Sequence, residues 1–177
     1  MLNFISKLFG GNKSEKDVKL LLPIVQKTNE FYSQYESLSN DELRNKTVLF
    51  RERIKTYLTG IDTEIESRKQ AAEKLAATDI HRRDAIYQEI DKLKKDRDKK
   101  IEEVLAAIQP EAFAVVKETA RRFSKNTELV STATLLDRDL SVKKSYITIS
   151  GDQSTFKNTW TAGGGQVTWN MVHYDVQ

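Results

Sequence analysis

Apolar residues recur every three or four positions through most of the first 125 residues, and alternate with polar ones only afterwards. Met1 to Phe9 sets Leu2, Phe4, Ile5, Leu8 and Phe9 on one helical arc with Asn3, Ser6 and Lys7 opposite, and Gly10-Gly11 ends it. So short an arc is marginal alone, so it needs a membrane or a partner to bury it, or else it is a frayed or internally docked terminus. Ser14 to Ser37 reads as a helix interrupted early by Pro23, its buried face marked by Leu20, Leu21, Ile24, Val25, Thr28, Phe31 and Tyr35. Ser39-Asn40-Asp41-Glu42 is a capping box that opens a second helix. Leu43, Thr47, Phe50, Ile54 and Leu58 give that helix a face to pack back on the first.

From Ile61 to Ile108 about half the residues are charged, and the sparse apolar ones fall near a heptad seam with Arg97 in one of its positions. Thr78-Asp79 caps a break, which predicts an antiparallel helical hairpin projecting into solvent. Pro110 reads as the first turn of a new helix. Ala112, Phe113, Val115, Val116, Thr119, Ala120 and Phe123 make that helix apolar on more than one side, so it is expected in a core. Arg121-Arg122 fall in its last turn and Asn126 stops it. Two β-rich runs, 145–149 and 154–160, flank Gly151 and predict a hairpin. Gly163-Gly164-Gly165 lacks the following Lys-Ser/Thr pair of a phosphate loop and reads as a flexible connector. The layout is α+β, mainly helical first and β-rich last, or a chain that stops inside a larger domain.

Composition sharpens this picture in three places. Residues 1–125 carry 25 Lys/Arg and 21 Asp/Glu against 4 and 5 in residues 126–177, so the charge belongs to the helices. A net charge of +3 does not argue for a nucleic-acid partner. The basic cluster at 92–100 is interleaved with Asp91, Asp96 and Asp98 and has no aromatic platform. With no cysteine and only His81 and His173, thiolate chemistry and a histidine-rich metal site are out of reach. No apolar run approaches the roughly 20 residues of a membrane span, and residues 1–9 lack the pattern of a secretory signal. The acids sit in mixed-charge helices, where a solvated face explains them, and no nucleophile elbow accompanies His173.

Three ordered segments carry a family resemblance. Pro110 to Arg122 resembles the PEAFAVVREAARR helix of SecA, the motor ATPase of bacterial preprotein translocation; Leu38 to Thr47 resembles its LSDEELRAKT segment, with Phe50-Arg51-Glu52-Arg53 after it. Met171-Val172-His173-Tyr174-Asp175-Val176-Gln177 resembles its MRHFDVQ stretch, and Leu8-Phe9-Gly10 matches near the start. The segment 61–109 and the hairpin around Gly151 are insertions relative to most members, of a kind found in one bacterial lineage of the family.

The resemblance implies an amphipathic segment at 1–12, N-terminal helices at 13–60, a charged helical hairpin insertion at 61–109, and at 110–177 the β-rich start of a P-loop, DEAD-like nucleotide-binding domain with a β-hairpin insertion near 145–160. It implies that Gln177 reads the adenine edge of ATP through its carboxamide, with Met171, His173 and Tyr174 beside it. The magnesium and phosphate groups lie beyond Gln177, so the chain is expected to end before Walker A, to make only the adenine-side contact and not to hydrolyse ATP alone. Implied partners are the Sec channel and acidic lipid through residues 1–9, unfolded preproteins through the parent, and a second copy in a homodimeric parent, at the bacterial cytoplasm and the cytoplasmic face of the inner membrane. The alternative is a free-standing helical or coiled-coil adaptor with no nucleotide role. A reading frame continuing past Gln177 into Gly-Glu-Gly-Lys-Thr separates the two.

Overall fold

The computed structural model describes residues 13–76 and 78–175, with side chains from residue 16 onward. The arc at 1–9 and Gln177 lie outside the described residues. The element order is α1 (Lys13–Tyr35), α2 (Asn40–Glu73), α3 (Ile80–Lys125), β1 (Glu128–Thr132), α4 (Leu135–Ser141), β2 (Ile147–Ser150), β3 (Gln153–Lys157), β4 (Thr159–Ala162) and β5 (Gly165–Thr168). The fold is α+β. Two compact units divide it: one joins the described residues up to Lys46 with those from Pro110 onward, and the other is Thr47–Gln109.

Within the 47–109 unit the helices run antiparallel. Tyr57 donates to Glu103 at 2.7 Å, Asp62 pairs with Arg97, and Arg68 pairs with Glu89 at 2.9 Å, so partner numbers fall along one helix as they rise along the other. Leu58, Ile65 and Ala72 are buried on α2, and Ile90, Val104 and Ile108 on α3. Arg97 meets its acid, Asp62, at the margin of these buried positions. Arg83 reaches back to the carbonyls of Ala72 at 3.3 Å, in the last turn of α2, and of Leu75 at 3.3 Å, just past its end. Asp79 precedes the first residue of α3, and its carbonyl accepts the Arg83 amide at 3.1 Å.

In the other unit, α2 starts on the expected reciprocal box. Ser39 N donates to Glu42 Oε2 at 2.7 Å and Glu42 N to Ser39 Oγ at 3.2 Å. The turn before it brings α1 and α2 together around Tyr35, Leu43 and Ala114 of α3, with Phe31, Tyr32, Leu38 and Val115 packed against them. The three-stranded sheet has the order β1-β3-β2, all antiparallel. The free edge of β1 is covered by the start of α2, which removes an aggregation-prone edge. Asn40 donates to Val130 O at 2.8 Å, and Asp41 accepts from the Thr132 amide and hydroxyl, each at 2.8 Å.

Several expectations need correction. Neither proline begins or breaks a helix: Pro23 lies inside α1 and Pro110 inside α3. A proline forfeits one backbone bond, and buried neighbours such as Ile108 before Pro110 and Ala114 after it hold the helix through that loss. Leu20 and Leu21 are exposed, as are Phe113 and Val116, because periodicity identifies a shared face without supplying a surface for it to bury against. α3 from Pro110 onward is therefore not buried all round; its buried face carries Ala114, Glu118, Ala120 and Arg122.

The expected hairpin forms as β2–β3, with Ser150 opposite Gln153 and Gly151 at φ 57°, the pattern of a type II′ turn. The run 154–160 does not stay one strand. β3 ends at Lys157, although the Asn158 amide still donates to Thr127 O, and among the described residues β4 pairs with β5 alone. The three glycines are not a flexible connector: Gly163 at φ 58° and Gly164 at φ 81° make the two-residue turn between Ala162 and Gly165, where two successive positive φ angles favour glycine.

Candidate functional site

After β5 the chain has no regular structure from Trp169 to Tyr174, yet side chains fix it at both ends. Trp169 donates its amide to Asn158 O at 2.8 Å and its indole N–H to Ala120 O at 3.1 Å and Met171 O at 2.8 Å. At the other end Asp175 meets two helices. Lys117 Nζ of α3 donates to Asp175 Oδ1 at 2.7 Å, and Asn29 Nδ2 of α1 donates to Asp175 Oδ2 at 3.0 Å. Lys117 also donates to Asn29 Oδ1 at 2.9 Å and lies 5.0 Å from the centre of the Tyr32 ring. The three side chains close a ring. Those bonds, Lys117 first and Asn29 next, hold the Asp175 carboxyl below the usual carboxylate range.

Beside this segment opens a cleft of about 530 Å³, lined chiefly by Phe123, Tyr146, Phe156, Trp160, Trp169 and His173. Trp160 and Trp169 lean together with centroids 6.4 Å apart, and Tyr146 lies 6.5 Å from Trp160. His173 Nδ1 is buried and has no hydrogen-bond partner among the described residues. A largely apolar cleft with a few polar atoms at its margin suits a planar or apolar ligand.

The residues singled out from sequence therefore share one segment but not one environment. His173 is half-buried at the cleft, whereas Met171 is 42% exposed and Tyr174 74% exposed. Gln177 is outside the described residues. Sequence reasoning missed the bonds of Asn29 and Lys117 to Asp175, because the partners lie 146 and 58 positions apart.

A second polar assembly supports the same helix. Glu118 is fully buried and takes Arg121 Nε and Nη2 and Arg122 Nε, each at 2.7 Å. Arg122 continues to Asn40 Oδ1 at 2.8 Å, Tyr35 O at 3.0 Å and Leu38 O at 2.7 Å, tying the α1–α2 turn to α3. Burial alone would raise the Glu118 carboxyl, but the two arginines outweigh it and hold it below its ordinary range. Its signal in the sequence was the spacing of Glu118 to Arg121 and Arg122, three and four residues apart. Beyond it, Arg44 grips both oxygens of buried Asp137 at 3.0 Å and donates to Ser131 Oγ at 2.7 Å. Asp137 in turn caps α4 with Thr134. Desolvation pushes the Asp137 carboxyl up, and the Thr134 and Arg44 bonds bring it below the usual range.

Long helices joined to a small antiparallel sheet, with an irregular terminal segment pinned across two of the helices, define the class as an α+β helical scaffold presenting that segment. The chain belongs to the family of the SecA DEAD-like domain, whose model matches residues 5–177. Among its relatives, the protein translocase subunit SecA of Flavobacterium psychrophilum is 47% identical over 176 residues, 99% of this chain and 16% of that protein. The SecA subunit of Christiangramia forsetii is 44% identical over 99% of this chain and 16% of its own length, and that of Porphyromonas gingivalis 43% over 98% and 15%. The chain thus spans about one sixth of the length of these relatives. No solved structure matches it. No helix among the described residues is long and apolar enough to cross a membrane.

Proposed function

We propose that this chain serves as the N-terminal part of an ATP-driven motor that moves unfolded preproteins through the bacterial Sec channel. The observation that carries the reading is the end-to-end match to proteins named as translocase subunits, at 47% identity in one case. In this reading the segment 171–177 is the base side of a nucleotide site. Gln177 offers one acceptor and two donors to adenine, with Met171, His173 and Tyr174 flanking it. The groups that bind magnesium and phosphate come from elsewhere in the motor, so the 177-residue chain binds ATP weakly and does not turn it over. Residues 1–9 dock on acidic lipid and the channel, which puts the protein in the bacterial cytoplasm and at the inner face of the membrane. Preproteins, and a second copy of the motor, are partners of the parent.

The test is a hybrid. The matching 176 residues of the Flavobacterium psychrophilum subunit are replaced by this chain, and ATP-dependent entry of a preprotein into inner-membrane vesicles is measured. Translocation by the hybrid supports the reading. A folded, nucleotide-binding hybrid that moves no preprotein contradicts it and favours an adaptor role.

A further inference from the structure

We propose that α4 is a membrane-contact element: Leu135, Leu136 and Val142 insert among the lipids of an anionic bilayer surface while Lys143 and Lys144 meet its headgroups. The contact is additional to the docking of residues 1–9 and does not depend on it.

An amphipathic helix ordinarily buries its apolar residues and shows its polar ones. α4 inverts this. Its one buried residue is Asp137, whereas Leu135 is 82% exposed, Leu136 63% and Val142, its C-cap, 85%. Leu135 and Val142 are seven positions apart and share a face, with Leu136 beside them in the first turn. Nor is the helix loosely attached. Thr134 and Asp137 form its reciprocal cap, Arg44 holds both oxygens of Asp137, and Arg138 donates to Gly151 O at 2.9 Å. The Lys143 and Lys144 amides both donate to Leu140 O at 2.9 Å, which fixes the turn that carries the two lysines. Polar bonds thus hold in place a helix that keeps Leu135, Leu136 and Val142 in water. Exposed apolar side chains held together in this way mark a surface that meets something.

Charge and size decide the occupant. The charged side chains that α4 and its turn show to solvent are Arg138, Lys143 and Lys144 against Asp139. Arg138 lies 3.6 Å from Asp152, and the two lysines next to Val142 pair with no acid among the described residues. Apolar side chains beside unneutralised lysines suit a surface with an apolar interior and an anionic rim, which is an acidic bilayer. A protein partner is the poorer fit, because a stable interface takes roughly 800 Å² from each side and three side chains on so short a helix supply only part of it.

The chain has no cysteine, so a single introduced one reports on its own position. Leu136→Cys, Val142→Cys and, as a control at an exposed position of β5, Gln166→Cys are each labelled with the fluorophore NBD in the 177-residue protein and mixed with vesicles of phosphatidylglycerol or of phosphatidylcholine. The labels at 136 and 142 are expected to brighten at least twofold on phosphatidylglycerol, and the label at 166 to stay unchanged. Lys143→Gln with Lys144→Gln, and separately Leu135→Gln with Leu136→Gln, are expected to weaken the vesicle affinity read at Val142→Cys at least threefold. The melting temperature should not change, since all four side chains are exposed. Added salt should weaken the same affinity, and less so once the two lysines are gone. Labels at 136 and 142 that stay aqueous on phosphatidylglycerol overturn the proposal, whether or not the protein sediments with the vesicles. So does an equal response to phosphatidylcholine, which means apolar adsorption without headgroup contact. A response to raised protein concentration without vesicles also overturns it, since the occupant is then a second copy of this chain.

Discussion

The two units of the chain use charge in opposite ways. In 47–109 the ion pairs stand at the surface: Arg68 and Glu89 are 46% and 49% exposed, and the seam between the helices is apolar. In the other unit a glutamate with no exposure at all is bonded by two arginines, and one of these also collects the carbonyls of Tyr35, at the end of α1, and of Leu38, in the turn after it. Composition treats both as mixed-charge helix. The difference lies in what each charge touches: exposed pairs trade water for each other at little gain, whereas a buried carboxylate without its partners bears the full cost of desolvation.

The largest break in this comparison is expected from Arg122→Met. It strands part of the Glu118 charge and three further acceptors, at a cost of roughly 3–5 kcal/mol, checked by urea unfolding monitored at the tryptophans. Leu43→Ala in the same unit opens a cavity beside Tyr35 and Ala114 and should cost about 2–4 kcal/mol by the same measurement. Phe113→Ala belongs lower. Its ring is 52% exposed, so about 1 kcal/mol is expected where full burial would give roughly 3–5. Gly164→Ala places a Cβ at φ 81° in the β4–β5 turn, where strain of about 1 kcal/mol is expected in a melt although no atom lies in its way. At the foot of the scale, Arg97→Met, which removes the partner of exposed Asp62, should leave the melting temperature unchanged within error.

How much of this was legible in the sequence follows from range. The Ser39–Glu42 box, the start of α2 and the β2–β3 turn all depend on residues within a few positions of each other, and each stands in the structure. β1 was not legible, because its hydrogen bonds go to residues 153–157 across an intervening helix and strand. The glycine run was read for what it lacks as a phosphate loop; what decides it is that Gln166 and Val167 can pair back on Thr161 and Trp160. Pro110 was read by its missing amide alone, although the apolar positions on either side keep helical spacing through it. Of the candidate site, the segment 171–175 was legible through resemblance. Its fastening by Asn29 and Lys117 was not, since a lone lysine and asparagine on polar helix faces carry no local signal of what they will hold.

The contrast between buried and solvated charge is tested most directly by acid. Glu118 and Asp137 are both held below the ordinary carboxylate range in the folded state. Their contribution is therefore complete above the unfolded values of about 4 and is lost as pH falls through the lower folded ones. Trp160 and Trp169 both lie in the unit that contains these acids, and 47–109 has no tryptophan. A titration from pH 7 to pH 2 followed by tryptophan fluorescence and by far-ultraviolet circular dichroism thus reads the two units separately. The account predicts that the tryptophan signal changes first, with only part of the helical signal, and that the remaining helix persists to lower pH. A single coincident transition, or helix lost before the tryptophans respond, would contradict it.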